Sequence, residues 1–433
     1  MKNKRIVEHP TLEKRKWAYS MSIVYPNQYY GGAYALAPLI FYNIVNKLPN
    51  WRCERKFLGD KIKDKLIGFS FQYELDYSNF FKILQLNKIN LTKDREEIIF
   101  AGGPCVNLNW KPLARYVDFF VLGEAENVMP LVLGEYENQQ KKETFLTNIS
   151  KIDGVFVPDI SKVEKYAVCD LNFNDYPIIQ PLPLKLDKRF VFGSSFILEI
   201  ERGCPFSCKF CPMSKLHRSV RYRREVEKVV DYGIRINKRK HIVIYSASFT
   251  HPQRKEILSY LLNKKLSFSV PSIKVEVVDE ELLRLIRAGG QRSLTIAPEC
   301  NEALRQSIGK YVTDERFFEF AKQVRELGFR ELKLYFMLGL PNQNDKDIKE
   351  MAIFIGEMKK IFGRIYLSVN PFVPKPKTLF SEHRFDADEV NKQIKLFKSL
   401  LNGIKIRYKI GNVKKAELEW RLAFNEGLDI KKY

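Results

Sequence analysis

Three cysteines stand close together in the stretch ERGCPFSCKFCPMSK: Cys204, Cys208 and Cys211. Their Cys-x3-Cys-x2-Cys spacing puts three thiolates on one short loop. Such a loop can hold three irons of a cubane [4Fe–4S] cluster and leave the fourth iron without a protein ligand. A structural zinc site is the competing reading. Zinc usually takes four protein ligands there, often as two cysteine pairs, and no second pair exists: Cys53, Cys105, Cys169 and Cys300 stand alone in the sequence. Seven cysteines in a chain of 433 residues, three of them clustered, read as metal chemistry in a reducing compartment and not as a disulfide scaffold.

The loop needs a frame, and the sequence supplies one. FILEIERGC predicts a strand that ends at the cysteines. In the region 191–380 six apolar strands are expected, at 196–201, 241–247, 266–270, 293–298, 331–338 and 364–370, with helical stretches between them. Six strand–helix units are fewer than the eight of a full α/β barrel. A partial (β/α)6 barrel follows, with the cysteines at its top. The region 1–134 also alternates. YSMSIVYP, KLIGFSFQ, EIIFAGGP and VDFFVLGEAE read as strands, and AYALAPLIFYNIVNKL and DYSNFFKILQLN as helices. That pattern implies α/β architecture, a parallel sheet covered on both faces, with ligands at the carboxyl ends of its strands. Residues 135–190 read as a linker with a small hairpin around GVFVP, and 381–433 as a basic helical extension.

The formal charge is +22, from 73 basic and 51 acidic residues. That excess can attract RNA by counterion release. Spread along the chain as it is, it also fits the composition of a lysine-rich proteome. No apolar run approaches the roughly 20 residues of a membrane span, and the polar start lacks a signal-peptide core. A cytoplasmic protein is expected.

The cysteine spacing, with aromatic Phe210 before the third cysteine, resembles the signature of the radical S-adenosylmethionine superfamily. The resemblance implies that the open iron binds the amino and carboxylate groups of S-adenosylmethionine. The reduced cluster would then cleave the sulfonium to a 5′-deoxyadenosyl radical, with electrons from a ferredoxin- or flavodoxin-type donor. It further implies that Phe210 packs near the adenine and that Ser246, Ala247 and Ser248, which stand where Gly-Gly-Glu is usual, meet the methionine amino group. Ser272 and Lys274 would reach the cofactor. Glu299 would bond the ribose hydroxyls, Lys310 the methionine carboxylate, and Leu338 to Leu340 would border the adenine.

GFSFQYELDYSNFFKIL and IFAGGPCVNLNWKPLARYVDFFVLGEAE, with LTIAPE and LKLYFMLGLP, resemble a poorly characterised branch of the superfamily that carries an N-terminal cobalamin-binding-type, flavodoxin-like domain. In that fold Ser70, with Phe71, and Gly102 with Gly103 would contact the nucleotide tail of cobalamin. The loop that normally supplies an axial histidine reads YPNQYYGGAY, and no histidine lies between His9 and His217. A corrinoid without a protein imidazole and a vestigial scaffold both stay open. Cys105, Cys300 and the pair His217 and Arg218 lie near the implied sites, with burial in the fold as the alternative role. The implied function is modification of an unactivated carbon, methyl transfer being the commonest outcome in this branch. The alternatives are methylthiolation or another modification of tRNA, and a non-enzymatic iron–sulfur RNA-binding protein. Methylthiolating relatives usually carry a second three-cysteine cluster, which this chain lacks.

Overall fold

A computed structural model describes residues 7–12, 16–138, 141–217, 219–427 and 429. Arg218 lies outside them. The chain forms two compact units, one built from residues up to 197 with 223–240 and the last residues from 422, the other from 198–222 and 241–421.

In the first unit, strands β1 (Tyr19–Val24), β2 (Trp51–Lys56), β3 (Leu66–Ser70), β4 (Ile98–Gly102), β5 (Phe119–Val121) and β6 (Val155–Phe156) lie in the order β2-β1-β3-β4-β5-β6. The first five are parallel and β6 is antiparallel. Every residue of β3 is buried, as a strand covered on both faces requires. Phe69, Phe71, Phe80 and Phe120 fill one side of the sheet, and Trp51, Phe100, Phe119 and Phe145 the other. The stretch 135–190 differs from expectation. It carries a helix at Lys142–Ile149, and Val155–Phe156 pairs with β5 instead of forming a hairpin. Two residues are too few to show an alternation in the sequence.

The second sheet system starts with β7 (Ser195–Glu199), β8 (His241–Tyr245) and β9 (Ser267–Ser269), in the order β9-β8-β7. Strands β10 (Ser293–Glu299), β11 (Glu331–Leu338), β12 (Ile365–Pro371) and β13 (Arg407–Ile410) form a second, parallel sheet in sequence order. Strands lie at all six expected places. The seventh, β13, corrects the expectation of a purely helical extension. Its sequence RYKI is short and charged, as suits a sheet edge, and gives no apolar period to read. The two sheets are linked by the Ile273 amide, which donates to Thr295 O at 2.8 Å.

Helices return the chain between strands and have visible causes. Asp279 caps Glu280–Ala288 by accepting from the Leu282 amide, and Leu282, Leu283 and Ile286 bury one face. Asn344 and Asp347 form a capping box on Asp345–Phe362. Among the described residues, no helix is long and apolar enough to cross a membrane.

Candidate functional site

The cysteine loop leaves β7 through Gly203, whose φ is +94°. A Cβ there would stand 2.9 Å from Ser219 O, so both the backbone conformation and the space require glycine. Two backbone bonds then pin the middle of the loop. The Lys209 amide donates to Ile308 O at 2.9 Å, and the Leu379 amide donates to Lys209 O at 3.2 Å. A third, from the Cys211 amide to Cys208 O at 3.1 Å, closes the turn that brings these cysteines together. Cys208 is buried, and Cys204 and Cys211 are half-buried. Burial pushes the thiols of Cys208 and Cys211 up, and the nearby ammonium groups of Lys274 and Lys310 pull that of Cys208 back.

All three cysteines line one cavity of about 210 Å³ within the second unit. Phe210, Ala247, Ser272, Lys274, Glu299 and Lys310 line it too, so residues from four other segments of the chain join the cysteine loop there. Phe206, Phe317 and Tyr335, which the sequence did not single out, line it as well. The Lys274 ammonium lies 4.8 Å from the centroid of the Phe206 ring.

Glu299 ends β10 with φ at +69°, in the left-handed region, after a register shift between Ile296 and Glu299. A left-handed glutamate costs backbone energy and persists only when its surroundings hold it. They do. The Lys310 ammonium donates to Glu299 Oε1 at 3.1 Å and to Ala297 O, and Lys310 is 5% exposed. Behind them Arg305 is fully buried. Its guanidinium donates to Pro298 O at 2.8 Å, Cys300 O at 2.9 Å, Val312 O at 2.7 Å and Asp314 Oδ1 at 2.7 Å. Arg305 thus staples both ends of the turn that joins Glu299 to Lys310. Sequence reading missed it. An arginine in the polar stretch NEALRQS looks like any surface cation, and only the three carbonyls around it reveal its place.

Ser246 and Ser248 are placed differently. Their hydroxyls donate to Glu201 Oε1 at 2.5 and 2.9 Å, and the Thr250 amide donates to Glu201 Oε2 at 2.9 Å. The buried Glu201 carboxylate, also unforeseen, therefore organises the loop after β8 and leaves Ala247 between the serines to face the cavity. Leu338 and Leu340 are buried on either side of Gly339. Cys300 is buried and its thiol pushed up by that burial. His217 is half-buried beyond the loop.

In the first unit, Ser70 and Gly102 face each other across β3 and β4. Ser70 is 3% exposed and its hydroxyl accepts from Gln72 Nε2 at 3.1 Å. A Cβ on Gly103 would stand 2.5 Å from Phe71 O, and one on Gly102 3.1 Å from Val121 O. The room these glycines leave is filled by the chain itself, and Phe71 is fully buried among Phe69, Tyr77 and Phe80. Cys105 belongs to the same buried cluster.

The residues of the cysteine cavity do fit an iron–sulfur cluster and its ligand: three thiols on one pinned loop, an open volume beside them, and a carboxylate and ammonium on the facing wall. This is the site of a radical S-adenosylmethionine protein, and the chain belongs to that superfamily. The model of the radical SAM superfamily matches residues 198–355, and that of the N-terminal region of radical SAM proteins matches residues 61–158. An uncharacterised protein of Methanocaldococcus jannaschii is 30% identical over 408 residues, covering 91% of this chain and 86% of that protein. An uncharacterised methyltransferase of Pyrococcus horikoshii is 26% identical over 314 residues, 68% of this chain and 64% of its own length. Among solved structures, the radical S-adenosylmethionine methyltransferase TsrM from Kitasatospora setae, with tryptophan and a S-adenosylmethionine analogue bound, shares the fold. Its TM-score is 0.62 at 14% identity, covering 81% of this chain and 73% of TsrM.

Proposed function

We propose that this radical S-adenosylmethionine enzyme modifies an unactivated carbon of its substrate, most simply by methyl transfer. The observation that carries the reading is the convergence of Cys204, Cys208 and Cys211 with Phe210, Glu299 and Lys310 on one cavity. Cluster and S-adenosylmethionine, when bound, supply reductive cleavage of the sulfonium and a 5′-deoxyadenosyl radical. The three cysteines would hold three irons. Glu299 would accept from the ribose hydroxyls, and Lys310 would meet the methionine carboxylate. Phe210 offers an apolar wall for the adenine, while Ser272 and Lys274 bring a hydroxyl and a cation to the same space. Each charged group on the far wall is held ready by its neighbour, so little reorganisation is needed when the cofactor enters.

Methyl transfer is favoured by the similarity to the Pyrococcus methyltransferase and to TsrM. The five parallel strands of the first unit follow the order 2-1-3-4-5, which supports a flavodoxin-like, cobalamin-binding-type domain. TsrM has also been solved with cobalamin and a [4Fe–4S] cluster bound. Ser70, Gly102 and Gly103 would lie beside the nucleotide tail of a bound cobalamin, and no step is assigned to a corrinoid. Modification of tRNA is the second reading, and the net charge of +22 favours it. The test is anaerobic incubation of the iron-loaded chain with S-adenosylmethionine and dithionite. 5′-Deoxyadenosine should form in the wild type and not in Cys208→Ala. Equal cleavage by the variant would remove the cysteine loop from the reaction.

A further inference from the structure

The sheet β10–β13 carries a row of side chains that cofactor binding leaves unused. Leu332, Leu334 and Phe336 of β11 and Ile365, Leu367 and Val369 of β12 are buried on one face. Alternate residues share the other face. The register sets Lys333 opposite Tyr366, Tyr335 opposite Ser368, and Ser368 opposite Lys409. Tyr335 also lines the cavity of the three cysteines, so the row begins at that wall and runs to the sheet edge.

Lys333 is half-buried. Its ammonium lies 4.8 Å from the Tyr335 ring centroid and 5.7 Å from that of Tyr366. Among the described residues neither Lys333 nor Lys409 pairs with a carboxylate, whereas nearby Arg407 is matched by Glu331 at 2.5 Å. Two ring faces attract a cation, but they do not replace the counter-charge that a partly desolvated ammonium lacks. We propose that Lys333, between Tyr335 and Tyr366, receives an oxyanion of the substrate, a carboxylate or a phosphate, so that the substrate is an anionic small molecule held against the cysteine cavity. This rests on reading that cavity as the radical site. Ser368 adds a hydroxyl to the same row and Lys409 a second cation, whereas Glu331, the acid nearest in sequence, is already engaged by Arg364 and Arg407.

The full, cluster-loaded chain is titrated at constant ionic strength with inorganic phosphate, followed by ³¹P line broadening, and separately with ¹³C-acetate. Wild type should broaden at least one probe. Lys333→Met should weaken that binding about tenfold, as loss of a charge-assisted bond predicts, and Lys333→Arg should keep most of it. Lys409→Met should give a smaller loss. Broadening of phosphate alone assigns a phosphorylated substrate, and of acetate alone a carboxylate. Equal broadening by wild type and Lys333→Met, or none with either probe, overturns the proposal. S-adenosylmethionine cleavage is measured on the wild type in parallel. Its absence would count against the proposed function and leave the anion result to stand by itself.

Discussion

Arg305→Met removes the staple behind the candidate site without replacing a residue of the cavity wall. The guanidinium makes four hydrogen bonds, three to carbonyls and one to Asp314, from a fully buried position. Methionine keeps most of the side chain's packing against Phe317 and Phe354, whose ring centroids lie 4.8 and 5.7 Å from the guanidinium carbon. What is lost is polar. Each orphaned buried acceptor costs about 1–3 kcal/mol, and removing one member of a buried ion pair costs about 3–5 kcal/mol in total once neighbours relax. A loss of about 4 kcal/mol is expected, nearly a thousandfold in the unfolding constant. Arg305→Lys keeps the charge but not the planar fork, and about half of that loss is expected. Urea unfolding of the iron-free chain, followed by circular dichroism, reads both. S-adenosylmethionine binding should fall in the methionine variant as well, because the turn carrying Glu299 and Lys310 loosens. A loss under about 1 kcal/mol, below the cost of a single orphaned acceptor, would refute the staple.

Gly103→Ala should destabilise the first unit by about 2 kcal/mol or more, from a positive φ of 103° and a Cβ 2.5 Å from Phe71 O. Gly134→Ala, in a helix with open space around it, should stabilise by about 0.5–1 kcal/mol; thermal melting compares the two. Lys310→Met should leave four irons per chain, by iron assay, while raising the dissociation constant for S-adenosylmethionine about tenfold. Burial raises the Asp76 carboxyl to about 6, although it accepts from Asn27 Nδ2 at 2.7 Å. A carboxyl raised on folding takes up its proton more readily in the folded state, so its contribution grows as the pH falls from about 7 toward 4 and is lost as the pH rises through 6. Asp76→Asn should therefore be more stable than wild type at pH 7.5, and the difference should shrink by pH 5. Equal melting curves for the two proteins across that range would show that burial does not hold the proton.

The strands of the second sheet system and the cysteine loop were legible because both are local. Six apolar runs bounded by turn residues mark the strands, and the metal spacing lies within eight consecutive residues. Val155–Phe156 and Arg407–Ile410 escaped because their pairing depends on a neighbour strand and not on their own two or four residues. Glu299 and Lys310 were singled out by resemblance, and the structure brings them to the cavity, but their support was invisible. Arg305 reads as an ordinary basic residue until Pro298, Cys300 and Val312 turn their carbonyls toward it. Glu201 was hidden for the same reason: its partners Ser246, Ser248 and Thr250 lie over forty residues away. The glycines at 102 and 103 were legible as a tight turn, yet what fills the space beside them is set by strand packing.

The two walls of the cavity are mechanically one piece. The turn at 308–310 donates no side chain to the cysteine loop. It offers the Ile308 carbonyl to the Lys209 amide, and Gly309, at φ +81°, lets the backbones approach, since a Cβ there would sit 3.3 Å from Ser207 O. The next residue is Lys310, which holds Glu299. Arg305 precedes the turn and fixes the strand end from which Glu299 projects. A displacement of this turn therefore moves the ligand loop and the charged pair together. Displacement of its backbone, unlike loss of the Lys310 side chain alone, should not separate into a cluster effect and a cofactor effect. Combining Gly309→Val with Arg305→Lys should accordingly cost less than the sum of the single losses, in iron content and in S-adenosylmethionine affinity alike, because both substitutions release the same element. Full additivity in both measurements would mean that the cysteine loop is held by its own turn and by Leu379 alone.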